Sequence, residues 1–214
     1  MLNFLNLGIT KKIRLFFSLF LIFSTTSTLQ AQAVQTGIKG GLNYATLGGD
    51  IEDANFMTSY HLGLFTNIRI TEGYALQPEV LFSRQGAANY GDNYDLELKM
   101  DYLTIPVMAK FYLVDGFNLQ FGPQVAFLLN AETEGDLETG VQPIDAVGSA
   151  IINDENVPDV FKTADLGVNF ALGYEAPFGL TLDARYSAGL VDVVVDEDYE
   201  LNNQVIQLSL GYLF

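Results

Sequence analysis

The sequence predicts an all-β fold: an eight-stranded antiparallel up-and-down transmembrane β-barrel, preceded by a cleaved signal peptide. Apolar residues alternate with polar or small residues at a period of two, which is typical of strands with two different faces. The connections alternate between short turns and long polar segments, as in outer-membrane barrels. Charged residues make up only 17% of the 214 residues, whereas about 25% is usual in soluble domains.

The N-terminal segment has the organisation of a secretory signal peptide. Three basic residues between positions 11 and 14 precede the apolar run Leu15–Phe23, and Ala31-Gln32-Ala33 provides an A-x-A cleavage site. The apolar run is too short to cross a bilayer as a helix, and the alternative interpretation is a buried N-terminal helix. We therefore assign residues 1–33 to the signal peptide and residues 34–214 to a single barrel domain.

Eight segments of the remaining chain show the alternation, each about ten residues or longer, which is the length of a tilted transmembrane strand. Aromatic residues lie near their ends, as in the interfacial girdles of membrane barrels. The short connections are 71–73, 114–116 and 176–179, and the long ones are 46–58, 86–101, 131–162 and 191–203. The predicted strands are 34–44, Tyr60–Ile70, Leu76–Gln85, Leu103–Tyr112, Phe117–Asn130, Asp165–Glu175, Leu180–Leu190 and 206–214.

The polar face of these strands carries few charges, and the positive and negative ones balance. A closed lumen needs this balance, because an unpaired charge there is poorly hydrated. The apolar face carries one charge, Arg84, where the third strand meets its loop, and 20 of the 26 acidic residues fall in the long segments. Glu79 and Lys110 lie on neighbouring strands, and Arg185 could reach them across a narrow barrel. We predict a lumen network of Lys39, Arg69, Glu79, Lys110, Asp165, Glu175, Asp183 and Arg185.

Four stretches resemble the PorT-type outer-membrane β-barrel family of Bacteroidetes: Gly37–Asn43, Leu76–Ser83, Tyr102–Val107 and Asp183–Leu190. The resemblance covers essentially the whole mature chain and implies a barrel in the outer membrane of a Gram-negative cell. One branch of that family is tied to protein secretion, and no residue here marks that branch. The last strand also resembles the C-terminal signal read by the barrel-assembly machinery, unless it is simply a lipid-facing strand; the signal residues are Leu208, Leu210, Tyr212 and Phe214.

Composition excludes several function classes. A net charge of −16 argues against nucleic-acid binding, which needs clustered basic residues. Without cysteine there is no thiolate chemistry. The one histidine, His61, is the only candidate base for a nucleophilic site, and the serine that barrel lipid A deacylases place two residues on is replaced by Gly63. The acidic segments lack EF-hand spacing. We predict no catalytic residue, no cofactor and no specific metal site.

These observations favour a non-enzymatic integral outer-membrane barrel that acts structurally or through its acidic extracellular loops. An eight-stranded barrel is just wide enough for side chains to fill its interior. Three alternatives stay open: a secretion-linked or surface partner-binding barrel that uses segment 131–162, a lipid-modifying barrel enzyme, and a soluble lipocalin-like carrier. The expected partners are outer-membrane lipid and lipopolysaccharide, and the barrel-assembly machinery during biogenesis.

Signal peptidase should cleave after Ala33, or secondarily after Ala31, because these residues complete the A-x-A motif. Mass spectrometry of the protein isolated from membranes should therefore give a mature N-terminus near Val34. Recovery of an intact Met1 would contradict the export of this chain through a cleaved signal peptide.

Overall fold

Eight antiparallel strands close into a barrel, which confirms the predicted fold class. The computed structural model describes residues 33–49, 55–91, 94–137, 163–191 and 201–214. Each strand pairs with the next along the chain, and the last strand pairs with the first. The strands are β1 Ala33–Gly49, β2 Met57–Thr71, β3 Tyr74–Gly91, β4 Tyr94–Tyr112, β5 Phe117–Leu137, β6 Ala164–Glu175, β7 Leu180–Gly189 and β8 Leu201–Leu213.

The period-two alternation in the sequence becomes two different surfaces of the barrel wall. Outward apolar side chains are largely exposed, with Phe170 at 60% and Leu172 at 63%, while inward Ala171 between them is 7% exposed. An exposed apolar surface that runs around a protein is too large to face water and marks contact with lipid. The inward face is the one that holds the polar side chains.

Aromatic side chains form contacts near both ends of the outward face. Towards one end, Tyr60 contacts Phe82 with ring centroids 6.0 Å apart. Towards the other, Phe117 contacts Tyr174 at 4.8 Å. Amphipathic and aromatic rings at these two levels match the girdles that flank the apolar band of membrane barrels.

The two ends of the barrel differ. The turn end carries the short connections 72–73, 113–116 and 176–179, and both Ala33 and Phe214 lie there, with the Phe214 amide donating to the Thr36 carbonyl at 2.9 Å. The opposite end is called the loop end. Residues 1–32, which include nearly all of the predicted signal peptide, lie outside the described residues.

The long connections at the loop end are shorter than predicted, because strand pairing continues into them. β3 and β4 pair as far as Gly91 and Tyr94, so the predicted loop 86–101 is mostly a hairpin. The inward residues Leu98 and Met100 are 6% and 0% exposed. The apolar face of this extension therefore points inward and its polar face outward, as in a water-exposed antiparallel sheet.

No helix among the described residues is long and apolar enough to cross a membrane.

Gly41 marks a close approach between the first and last strands, and its substitution should damage closure. A Cβ atom at Gly41 would lie 1.8 Å from the carbonyl oxygen of Leu208 on β8, whereas one at Gly73, in a turn, meets nothing within 4 Å. We expect Gly41→Ala to lower the free energy of unfolding by about 1–3 kcal/mol, the range for overpacked sites, and Gly73→Ala to leave it unchanged. Unfolding in urea, followed by the gel mobility of unheated samples, measures both. Equal stability of the two variants would contradict this reading of the β1–β8 contact.

Candidate functional site in the barrel lumen

Polar side chains from all eight strands meet inside the barrel. Glu79 lies at the centre, where its carboxylate accepts two hydrogen bonds from the Arg185 guanidinium, at 2.7 and 2.9 Å. Lys39 Nζ donates to the same carboxylate at 3.1 Å and to Asp183 at 3.4 Å. The side chains of Glu79, Lys39 and Arg185 are at most 1% exposed. The bidentate geometry makes the Arg185 pair the strongest kind of ionic hydrogen bond.

A second ionic cluster lies towards the turn end around Glu175. Its carboxylate accepts hydrogen bonds from Arg69 at 2.8 Å, from the Tyr112 hydroxyl at 2.8 Å and from Lys110 at 3.3 Å. The Arg69 guanidinium also lies 4.0 Å from the centre of the Tyr112 ring. Because the Arg69 side chain is 33% exposed, this cluster borders the open turn end.

Gln77 joins the two clusters. Its amide nitrogen donates to Glu79 at 2.8 Å, and its amide oxygen accepts from Lys110 at 3.1 Å. The sequence predicts that Glu79 and Lys110 lie side by side. In the structure Gln77 bridges them, and Glu79 pairs with Lys39 and Arg185 instead. The connected set is the lumen network: Lys39, Arg69, Gln77, Glu79, Lys110, Glu175, Asp183 and Arg185.

Asp165 does not belong to the lumen network, although its parity points it inward as predicted. It lies at the loop end, where its carboxylate accepts a hydrogen bond from Asn203 at 3.0 Å. Without it, the described network holds four cationic and three anionic side chains, rather than the balanced four and four that the sequence predicted.

An apolar layer fills the lumen above the network. Within the described residues its members are at most 8% exposed and come from β1 to β5 and β8: Ala45, Leu47, Met57, Leu81, Ala87, Ala88, Leu98, Met100, Tyr102, Ala126, Ala131 and Val205. Most of them alternate in step with the lumen-facing residues but lie in segments that the sequence predicts to be loops. For those on β4, the signal is the alternation of apolar and charged residues between Tyr94 and Tyr102.

His61 is a hydrogen-bonded residue of the lumen, and its two partners are not predicted by the sequence. Its Nε2 atom lies 2.8 Å from Ser209 Oγ, and its Nδ1 atom lies 2.7 Å from Asn43 Oδ1. The Asn43 amide nitrogen donates to the carbonyl oxygens of Tyr60 and Arg84, so its oxygen is the atom that faces the histidine. Nδ1 therefore carries the proton, and Nε2 accepts from the serine.

This order of serine, histidine and asparagine is that of a hydrolase triad, but the chain is sealed inside the lumen. His61 is 2% exposed, Asn43 0% and Ser209 8%. Ser209 comes from β8 and His61 from β2, far apart in sequence, which explains why spacing could not reveal the pair. Across the ranges that the structure describes, no three His, Cys, Asp or Glu side chains converge in a way that could hold a metal ion.

The outward charge Arg84 lies where the apolar band ends. Its guanidinium donates to both oxygens of the Asp101 carboxylate, at 2.7 and 2.8 Å, and lies 5.8 Å from the Tyr60 ring. The last strand carries the predicted assembly signal on the outward face, with exposures between 48% and 70% for Leu208, Leu210, Tyr212 and Phe214.

Residues 30–195 match the profile of the outer membrane protein beta-barrel domain family. The chain belongs to this family and is an outer-membrane β-barrel protein. Its outward apolar band and its closed strand order agree with that assignment. No curated protein matches the sequence.

The chain is similar to solved outer-membrane barrels at low sequence identity. Neisserial surface protein A is 13% identical, with a TM-score of 0.52, and the match covers 85% of this chain and 99% of that one. Ail of Yersinia pestis, solved with the heparin analogue sucrose octasulfate, is 12% identical over 85% and 99%, with a TM-score of 0.47. OprG of Pseudomonas aeruginosa is 12% identical over 86% and 97%, with a TM-score of 0.37.

The Glu79–Arg185 pair should show coupling in a double-mutant cycle on the free energy of unfolding. Glu79→Gln leaves Arg185 buried without its carboxylate partner, and we expect it to lower the free energy of unfolding by about 3–5 kcal/mol. Arg185→Gln leaves Glu79 with Lys39 as its partner, so it should cost somewhat less. The double variant should cost clearly less than the sum, because it leaves neither charge unpaired. Urea unfolding of the refolded barrel measures all three.

Arg69→Gln is the matched control for this cycle, because its side chain is 33% exposed. It should destabilise the barrel less than either central substitution. Strictly additive costs for Glu79→Gln and Arg185→Gln would contradict a coupled pair.

Proposed function

We propose that this protein is a non-enzymatic structural barrel of the outer membrane, closed to solutes, whose contacts with other molecules are made by its acidic extracellular segments. The single observation that carries the proposal is the filled lumen. The ionic lumen network occupies the turn half and the apolar layer occupies the loop half. Family membership and the exposed apolar band are incompatible with the soluble lipocalin-like carrier.

Both halves of the lumen oppose passage of a hydrated solute. In the turn half, Arg185 of β7 reaches across the barrel to Glu79 of β3, which also accepts from Lys39 of β1, and Lys110 of β4 donates to Gln77. In the loop half, the apolar layer includes Met100 and Tyr102, which are fully buried. A channel would have to break buried ion pairs and hydrate an apolar layer at the same time, and both steps are costly.

Planar-bilayer recording of the refolded protein should show no stable large conductance, because eight strands leave room only for packed side chains. Small leaks, if present, should favour cations, since acidic residues dominate the loop-end segments. Reproducible nanosiemens-scale channels that persist after deletion of residues 138–162 would overturn the proposal and favour passive transport.

A second candidate, a barrel hydrolase, is favoured by the Ser209–His61–Asn43 chain. Its atoms are correctly ordered for a serine nucleophile and its base. Its burial argues for a structural role, in which the three side chains satisfy one another inside the lumen. Gln207 supports this role, since its amide donates to the Asn43 oxygen at 3.0 Å and shares that acceptor with His61.

A fluorophosphonate probe distinguishes the two roles. We expect no adduct on the folded barrel by intact mass spectrometry, because Ser209 is 8% exposed within a packed lumen. Stoichiometric labelling that disappears in both Ser209→Ala and His61→Ala would instead establish a hydrolase.

We further propose the finer assignments that the resemblance suggested. The chain is a PorT-type member from a Gram-negative bacterium, exported through a signal peptide, with its turn end in the periplasm. Its partners are outer-membrane lipid and lipopolysaccharide, and the assembly machinery reads the outward residues of β8. A secretion-linked or surface partner would bind the acidic loop-end segments, above all 131–162. A pull-down from cross-linked outer membranes tests for such a partner.

A further inference from the structure

Asp165 and Asn203 meet across a step in the barrel rim. β7 is the shortest strand, and its pairing ends at Gly189 on one side and at Ala188 on the other. β6 and β8 both continue beyond this level. The side chain of Asp165 from β6 contacts that of Asn203 from β8, with the Asn203 amide nitrogen 3.0 Å from Asp165 Oδ2.

Two oxygen atoms at this contact have no hydrogen-bond donor. Asp165 Oδ1 and Asn203 Oδ1 are both buried and unpartnered. A flip of the Asn203 amide would not provide the missing donors, because its nitrogen already donates to the Asp165 carboxylate and lies 3.4 Å from the Tyr102 hydroxyl. Unpartnered buried oxygens are rare in folded proteins and call for a specific explanation.

Asp165 also differs from the other inward acids in having no cation beside it. Glu79, Glu175 and Asp183 each lie within 3.4 Å of a lysine or arginine nitrogen. Asp165 is 5% exposed, and the described residues give it no ion pair. Its partner Asn203 lies beside the Tyr102 hydroxyl, and Tyr102 is 0% exposed. An ionised carboxylate that is buried without a partner is costly, and a bound cation would offset that cost.

We propose that Asp165 and Asn203 form a binding site for a hard metal cation at the loop end of the lumen. The carboxylate supplies the charge, and the amide oxygen supplies a neutral ligand. Carboxylate and amide oxygens are what Ca²⁺ and other hard cations bind.

The ligand set indicates a weakly bound ion. A single carboxylate with neutral oxygens carries one negative charge, which suits Na⁺ or a loosely held Ca²⁺. Ca²⁺ sites of extracellular modules bind in the range of about 0.1–1 mM, and their affinity rises with the number of charged ligands. A site at the loop end would therefore fill from the medium and would be emptied by chelation or dilution.

The test is thermal unfolding of the refolded, detergent-solubilised full barrel in CaCl₂, NaCl or choline chloride at one ionic strength. With about 10 mM CaCl₂ or with NaCl, the midpoint should rise by about 2–4 °C over choline chloride. Asp165→Asn should abolish this rise. Asp198→Asn, which removes an acid from a loop-end segment, should retain it and controls for diffuse binding to the acidic segments.

Asn203→Asp provides the opposite test. If the site binds a cation, a second carboxylate should strengthen the binding of Ca²⁺ at least tenfold and make stability strongly dependent on calcium. If no ion binds, the two carboxylates should repel each other and lower stability with and without calcium alike. A wild-type midpoint that is equal in all three salts, or a rise that Asp165→Asn retains, would overturn the proposal.

Discussion

Each strand of this barrel must find its backbone hydrogen-bond partners within the sheet, because lipid hydrocarbon offers none. Pairing of β8 with β1 meets that requirement by removing both sheet edges. Closure then creates a second requirement, because the inward side chains are cut off from bulk water. The lumen network meets it: Glu79 is shared by Lys39 and Arg185, and Glu175 by Arg69 and Lys110. In the Ser209–His61–Asn43 chain, too, buried polar side chains hydrogen-bond one another.

The polarity of the wall reverses along the barrel axis. Within the lipid-facing band the apolar residues point outward and the polar ones inward. Above Arg84 and Asp101 the apolar residues, such as Leu98 and Met100, point inward. The same hydrogen-bonded sheet thus passes from lipid to water, and its strand pairing stays the same. The inner surface changes with it from ionic to apolar, which is why Asp165, at this upper level, lies apart from the other inward charges.

Period-two alternation was enough to predict the strand number, the closed fold and the inward direction of all eight charged positions. The contact of Arg185 with Glu79 across the lumen is also as predicted. The pairing of Lys39 with Glu79 and Asp183 could not be predicted, because these strands are far apart in sequence and their contact depends on the barrel's stagger. Gln77 was overlooked as a link because it is uncharged. The acidic residues of the β3–β4 extension predict a solvent-exposed loop. The alternation of Leu98, Met100 and Tyr102 with charged residues is nevertheless typical of a strand. Ser209 and His61 come together only through closure between β1, β2 and β8.

The central claim is that the folded lumen is packed and excludes water, and thiol accessibility tests it most directly. The sequence contains no cysteine, so single substitutions can be read without background. Ser83→Cys places a thiol inside the lumen, at a residue that is 0% exposed, and Gly73→Cys places one in an open turn. With a charged water-soluble maleimide, the turn thiol should react rapidly and the lumen thiol only after unfolding. Equal rates at the two positions in the folded barrel would show a hydrated lumen and contradict the account.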